Sequence, residues 1–326
     1  MKKIIIFTSL SVLFSCGKQI EEVIIEKKIE KIVEIEPQAK TKHNIAYYFK
    51  EELPILTNKK ENQSFISIDC QADDIFIGIE TTEGSAKTYS LQKLDVQTGA
   101  LTEVIANLKE IKDVAISDQH IFITQANTVQ VFNRQNYMPY MVIGSGTEGY
   151  HNNGMFSAFA LLPSENHLLV RDGRRLLFYA NADISPEKSK KISASVKSAF
   201  SAKNNTSLAQ INKNIYLADN KSIEIYNLND AMAINNEQGP SAKINFDKNI
   251  LQLATFRGHL YAGLGEFGFA RVNLEKREFT DKVTHYQSNP LNVQSFAFSE
   301  NTLFVISKAS ASITTYQIKD VIYREY

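Results

Sequence analysis

Cysteine is nearly absent: Cys16 and Cys70 are the only two in 326 residues, which excludes a disulfide framework and a zinc site of the paired-cysteine kind. Excess charge is absent too. Lys plus Arg and Asp plus Glu stand at 36 each, so no whole-chain field draws the protein to a polynucleotide or to an anionic membrane surface, and nucleic acid is not an expected partner. No Gly-x-Ser-x-Gly elbow and no His-Glu-x-x-His helix occurs, so neither a serine nucleophile nor a metal-bound water is nominated. Hydrophobic residues, by contrast, make up 43% of the chain, enough to bury a real core.

The N-terminus carries a sharp pattern. Met1-Lys2-Lys3 supplies a positive start, and Ile4 to Phe14 an apolar run shorter than the roughly 20 residues of a spanning helix, as in an export signal. The run ends in Leu13-Phe14-Ser15-Cys16, which resembles the lipobox of bacterial lipoproteins, with Phe14 standing where that family prefers a small residue. The resemblance implies removal of residues 1–15, a diacylglycerol on the Cys16 thiol and usually a further acyl chain (palmitate) on the new amino group. Such a lipid is the only attached group expected, with no other cofactor and no metal. Two or three chains make anchoring effectively permanent, because each buried CH₂ contributes about 0.8 kcal/mol. Contact with the membrane would then run through the lipid alone. Gly17-Lys18 after the cysteine, in place of an aspartate, resembles the enterobacterial signal for the outer membrane, with the body facing the periplasm or the cell surface.

Residues 16–44 read as a spacer. From Lys18 to Lys40 nearly every residue is Glu, Lys, Ile or Val, with Ile25, Ile29 and Ile32 at helical spacing, and Pro37 ends any such helix. Residues 45–326 form the body.

There, one apolar triplet recurs: Ile75-Phe76-Ile77, Ile121-Phe122-Ile123, Leu168-Leu169-Val170, Ile215-Tyr216-Leu217, Leu260-Tyr261-Ala262 and Leu303-Phe304-Val305. The central residues 76, 122, 169, 216, 261 and 304 lie 46, 47, 47, 45 and 43 apart. That period, roughly 40 to 50, is the one propeller blades keep. A polar turn precedes each triplet, a stretch rich in small residues precedes most of these turns, and alternating third strands such as Val129 to Phe132 and Ile223 to Tyr226 follow. A polar fourth strand closes each unit, for example Leu101 to Val104 or Lys282 to His285. The fold expected is therefore all-β, a six-bladed propeller of four antiparallel strands per blade, with the small residues around the axis. Two segments compete to close the ring: Ile45 to Phe49 from the N-terminal side, and Val321 to Tyr323 from the C-terminal side.

Blade three resembles an NHL repeat through Gly144 to Gly149, Gly154-Met155-Phe156 and Asp172-Gly173-Arg174-Arg175-Leu176-Leu177-Phe178-Tyr179, and blade four echoes it with Ala218-Asp219-Asn220-Lys221-Ser222. In that family the aspartate orders the turn into the third strand, which here implies that role for Asp172 and Asp219. Leu94 to Gly99 resembles the Asp-x-x-Thr-Gly turn of several propeller families. The sequence has no tryptophan, which argues against tryptophan-aspartate and quinoprotein-like propellers.

Gly144-Ser145-Gly146-Thr147-Glu148-Gly149 also satisfies a dinucleotide fingerprint, but Tyr150-His151-Asn152-Asn153-Gly154 cannot start the helix that must face the pyrophosphate. His120, His167 and His259 recur before the second strand, and turn duty explains them better than a metal. Cys70, after Phe65-Ile66-Ser67-Ile68, reads as a buried structural thiol. The candidate binding face is the one where inter-blade and second-to-third-strand loops meet. It holds Glu148, Tyr150, His151 and Asn152 with Arg171, Asp172, Arg174, Arg175, Asp219 and Glu266. That mixture suits an envelope protein or a glycan, and the expected function is that of a lipid-anchored, non-catalytic binding or scaffold propeller. The alternative is an envelope hydrolase or lyase in which His151, Asp172 and Asp219 converge on a divalent ion near the axis.

Overall fold

The structure is a computed structural model; it describes residues 40–41, 51–56, 60–125, 128–144, 158–172, 175–185, 197–199, 207–229, 240–286, 289–307, 312–318 and 322–323. Among the described residues six four-stranded antiparallel sheets build the body, and in five of them the strands lie side by side in chain order. Blade 1 comprises Gln63–Gln71, Asp74–Glu83, Ala86–Leu94 and Leu101–Leu108. Blade 2 comprises Ile111–Ile116, His120–Gln125, Thr128–Asn133 and Pro139–Ile143. Blade 3 comprises Ala158–Pro163, His167–Asp172, Arg175–Ala180 and Lys197–Ala199. Blade 4 comprises Leu208–Ile211, Asn214–Asp219, Ser222–Asn227 and Ala242–Asn245. Blade 5 comprises Gln252–Phe256, His259–Gly263, Phe269–Asn273 and Glu278–Val283. Together with the last blade, this is a six-bladed β-propeller.

Blade 6 is assembled from both ends of the body. Its inner three strands are Val293–Phe298, Thr302–Ser307 and Ser312–Gln317, and its outermost strand is Glu51–Leu56, paired with Ser312–Gln317. The ring therefore closes from the N-terminal side through residues 51–56; residues 45–49 lie outside the described residues. The C-terminal candidate does not join the blade at all: Ile322–Tyr323 pairs with Lys40–Thr41 in a separate two-stranded sheet.

The recurring triplets are the second strands, and burial explains their composition. Phe76, Ile77, Leu169, Leu217, Ala262, Leu303 and Val305 are all fully buried, because a second strand has a neighbouring blade against each face. Among the described residues the buried apolar side chains fall into six clusters, and each cluster spans one seam between adjacent blades. Phe122 and Leu168, for instance, share the seam between blades 2 and 3, while Phe304 and Ile77 share the seam that joins blade 6 to blade 1. The core is thus a closed ring of interfaces.

Turn chemistry repeats as well. Ser117, Ser164 and Ser299 each accept a hydrogen bond at Oγ from the backbone N–H three residues on, at 3.1, 3.2 and 3.1 Å, tightening the first-to-second-strand hairpins of blades 2, 3 and 6. Asn133, Asn227 and Asn273 end their third strands and Asp95 directly follows its own, and the side-chain oxygen of each accepts an N–H two or three residues further along. The Asp-x-x-Thr-Gly turn is one instance of that pattern; Gly99 adopts a φ of 70° there.

Candidate functional site

The innermost strands of all six blades enclose an axial channel of about 430 Å³. An innermost strand has one unpaired edge, so its inward N–H groups need acceptors. One register position supplies them. The cross-strand pairs Ile68↔Ile77, Val114↔Ile123, Leu161↔Val170, Leu208↔Leu217, Leu253↔Ala262 and Phe296↔Val305 align the blades, and the residue just before each inner member is Ser67, Asp113, Ala160, Ser207, Gln252 or Ser295. The Val114 N–H donates to Ser67 Oγ (3.4 Å), Leu161 N–H to Asp113 Oδ2 (2.8 Å), and Leu253 N–H to Ser207 Oγ (3.0 Å). Phe296 N–H donates to Gln252 Oε1 (2.6 Å), and Ile68 N–H to Ser295 Oγ (3.2 Å), which joins blade 6 back to blade 1. Ala160 alone offers no acceptor, so the blade 3 to blade 4 seam lacks this rung.

Among the described residues two carboxylates face the channel, and both accept hydrogen bonds from the frame. Asp113 also accepts from Ser67 Oγ (3.1 Å) and its neighbour Val114 N–H (3.0 Å); Asp69 Oδ2 accepts from Ile116 N–H (2.8 Å) in the next blade. Each is only partly exposed, and its exposure is to the confined channel. Lost hydration pushes Asp69 up to about 7 and Asp113 up to about 6; backbone hydrogen bonds oppose the rise in both, and the Asp113 charge adds to it for Asp69. Cys70 is half-buried beside them, and burial pushes its thiol well above the ordinary range, so it is a poor nucleophile.

The candidate face divides sharply. Glu148, Tyr150, His151, Asn152 and Arg174, like Cys16, lie outside the described residues. Arg171 and Asp172, expected as exposed loop charges, are 0% and 1% exposed and belong to the second strand of blade 3. The register explains why. Position 171 matches Gly78 and Gly263, where a Cβ would sit 3.1 Å from Ile111 Cγ2 and 3.1 Å from Val293 Cγ1 of the following blade, so this position faces the next seam. Arg175 and Asp219 are strand residues paired with Asp172 and Ser222 respectively.

Glu266 is exposed as expected, and the sequence reasoning missed its neighbour. Phe267 is 41% exposed at the tip of the second-to-third-strand turn of blade 5, with Lys248 Nζ 4.3 Å from its ring centroid. The turn is rigid: Leu264 N–H donates to Gly268 O (2.8 Å), Phe267 N–H to Leu264 O (3.2 Å), and Val293 N–H to Gly265 O (2.9 Å). Gly268, at a φ of 79°, has backbone where a Cβ would go, so no other residue fits there. An isolated aromatic in Gly-Glu-Phe-Gly-Phe gave no periodic signal.

His120, His167 and His259 start second strands on separate blades. His120 packs on Tyr140 (ring centroids 4.7 Å apart), and the His259 ring nitrogen Nδ1 lies 3.0 Å from Arg271 Nη2. Burial lowers the pKa of His120 and His167. Among the described residues no group of three potential ligands stands where it would hold a metal ion.

No known family profile matches the chain, and no curated protein matches it by sequence. Solved structures do match by shape. A chain of the mitotic checkpoint complex superposes with a TM-score of 0.53 at 8% identity, covering 83% of this chain and 99% of that one. The WD40 β-propeller domain of Doa1 gives 0.52 at 11% identity, covering 83% and 97%. At such identities the likeness is one of fold.

Proposed function

We propose that this protein is an exported lipoprotein of the cell envelope, anchored through Cys16 and placed at the outer membrane, whose propeller binds a partner protein without catalysing a reaction. The observation that carries the binding reading is Phe267, an exposed aromatic held on a rigid turn and flanked by Lys248 and Glu266. A ring fixed before contact loses little conformational freedom on binding, and aromatic side chains recur as anchors of protein interfaces. Of the ten positions first nominated by sequence, Glu266 lies beside Phe267, and Arg171 and Asp172 are internal. The channel is a weaker candidate because Asp69 and Asp113 already serve backbone amides. The likeness to a chain of a multiprotein checkpoint complex supports the propeller as a scaffold and does not identify a partner.

The test is site-specific photo-crosslinking in intact cells, with the crosslinking amino acid at position 267 and, as control, at exposed position 138 on the opposite face. A discrete adduct from 267 that weakens severalfold in Lys248→Ala and Glu266→Ala supports the reading. Adducts of equal strength from both positions, or none from 267, contradict it.

A further inference from the structure

The direction of the closing strand fixes which face of the propeller the tether leaves from. In each blade the first strand descends to the first-to-second-strand hairpin, the second returns, the third descends again and the fourth climbs to the inter-blade loop. One face therefore carries the hairpins of Asp118-Gln119 and Glu300-Asn301 and the third-to-fourth-strand loops, including Met138. The opposite face carries the turn of Phe267 and the inter-blade segment of Lys248.

Glu51–Leu56 fills the fourth-strand place of blade 6 and leads on into the first strand of blade 1, so it climbs. Its register agrees: Glu51 lies opposite Gln317, which itself pairs with Thr302 beside the Glu300-Asn301 hairpin, whereas Leu56 lies opposite Ile313 near the other face. The chain thus enters the propeller on the hairpin face. Lys40–Thr41 pairs with Ile322–Tyr323, a strand that begins five residues beyond Gln317 at the end of the third strand of blade 6.

We infer that the anchored protein hangs with its hairpin face toward the membrane and presents the Phe267 face away from it, toward the partner. This rests on the lipid anchor of the proposed function for its biological meaning, but the geometry is independent of how residue 16 is attached. The entry of the chain at Glu51, on the hairpin face, sets the side.

The absence of tryptophan supplies a clean measurement. The chain from Cys16 onward, carrying Cys70→Ala, is coupled through Cys16 to maleimide lipid in phosphatidylcholine vesicles containing dansyl lipid. A single donor is introduced as Met138→Trp on the hairpin face or as Phe267→Trp on the other; these positions are 62% and 41% exposed. Energy transfer to the bilayer is expected to be at least twofold stronger from Met138→Trp. A second pair, Gln119→Trp and Lys221→Trp, repeats the comparison at exposed turn residues should either first variant fail to fold. Equal transfer from both faces, or stronger transfer from the Phe267 side, overturns the inference. Because the coupling is chemical, that failure is distinct from failure of Cys16 to be lipidated in cells, which fractionation of Cys16→Ala reads separately.

Discussion

Ser295 in the last blade accepts a hydrogen bond at Oγ from the backbone N–H of Ile68 in the first, across 3.2 Å and 227 residues of sequence. This bond is buried, and it is the rung that joins the last blade to the first in a belt lining the channel. Replacing Ser295 with Ala leaves the Ile68 N–H without that acceptor in a buried place. A loss of about 1–3 kcal/mol is expected, read as a lower urea midpoint with an unchanged slope. A midpoint equal to that of the parent protein would show that the belt adds nothing to closure.

The gap in the belt makes the reverse prediction. Ala160 occupies the position held by serine in three other blades, and its backbone register is the same. Ala160→Ser is expected to add a rung to the blade 3 to blade 4 seam and to raise stability by about 0.5–1.5 kcal/mol. Hydrogen exchange should slow at Leu208 in that variant. Lower stability, with no slowing, would mean that the seam cannot accept a hydroxyl.

Asp69 gives the protein a definite pH response. Its folded-state value is about 7 against an ordinary value near 4, so the fold favours the protonated acid. Below about pH 4 folded and unfolded chains are both protonated and stability is full. As pH rises towards 7 the unfolded chain releases its proton while the folded one retains it, and stability falls across that window. Asp113, raised to about 6, acts in the same direction. Asp69→Asn keeps an oxygen for the Ile116 N–H and should flatten the decline between pH 4 and 7, by an amount on the order of 1–3 kcal/mol that channel water reduces. Parallel profiles for the two proteins would remove Asp69 from the explanation.

Blades 1 and 2 are strapped near their hairpin ends by Arg134, which donates to Asp74 Oδ2 from Nε (3.0 Å) and Nη2 (2.8 Å), to Gln71 O (2.9 Å) and to Ser117 O (3.2 Å). Hydrogen bonds from Lys93 and Arg134 outweigh desolvation and hold the Asp74 carboxyl below its usual range. Its contribution is therefore present above about pH 4 and lost as pH falls below that value, opposite in sign to Asp69. Arg134→Ala should cost about 1–3 kcal/mol at neutral pH, because two carbonyls lose a donor and the part-buried Asp74 carboxylate keeps only Lys93. Arg134→Lys, which cannot reproduce the fork, should restore less than half.

The repeat was legible because every second strand is buried on both faces, which forces an apolar triplet such as Ile121-Phe122-Ile123 at each turn of the period. The closing strand was misplaced for the converse reason. Glu51-Glu52-Leu53-Pro54-Ile55-Leu56 is an outermost strand that needs neither alternation nor a full set of donors, so it tolerates Pro54 at its irregular point between Leu53 and Leu56 and reads as a loop. The belt was hidden because Ser67, Asp113, Ala160, Ser207, Gln252 and Ser295 share a register and not a residue type. Arg171 and Asp172 misled in the opposite way: charged residues beside a glycine look solvated until the neighbouring blade is placed over them. Phe267, the residue on which the binding reading rests, was a lone aromatic with nothing in the sequence to mark it as exposed.

The proposed lipid anchor at Cys16 is tested most directly by fractionating cells that produce the native chain or Cys16→Ala, with metabolic labelling by a clickable palmitate analogue. The native chain should partition with membranes and carry the label, and Cys16→Ala should lose the label and move to the soluble fraction while keeping the native urea midpoint. Membrane association that persists in unlabelled Cys16→Ala would contradict the lipid-anchored propeller.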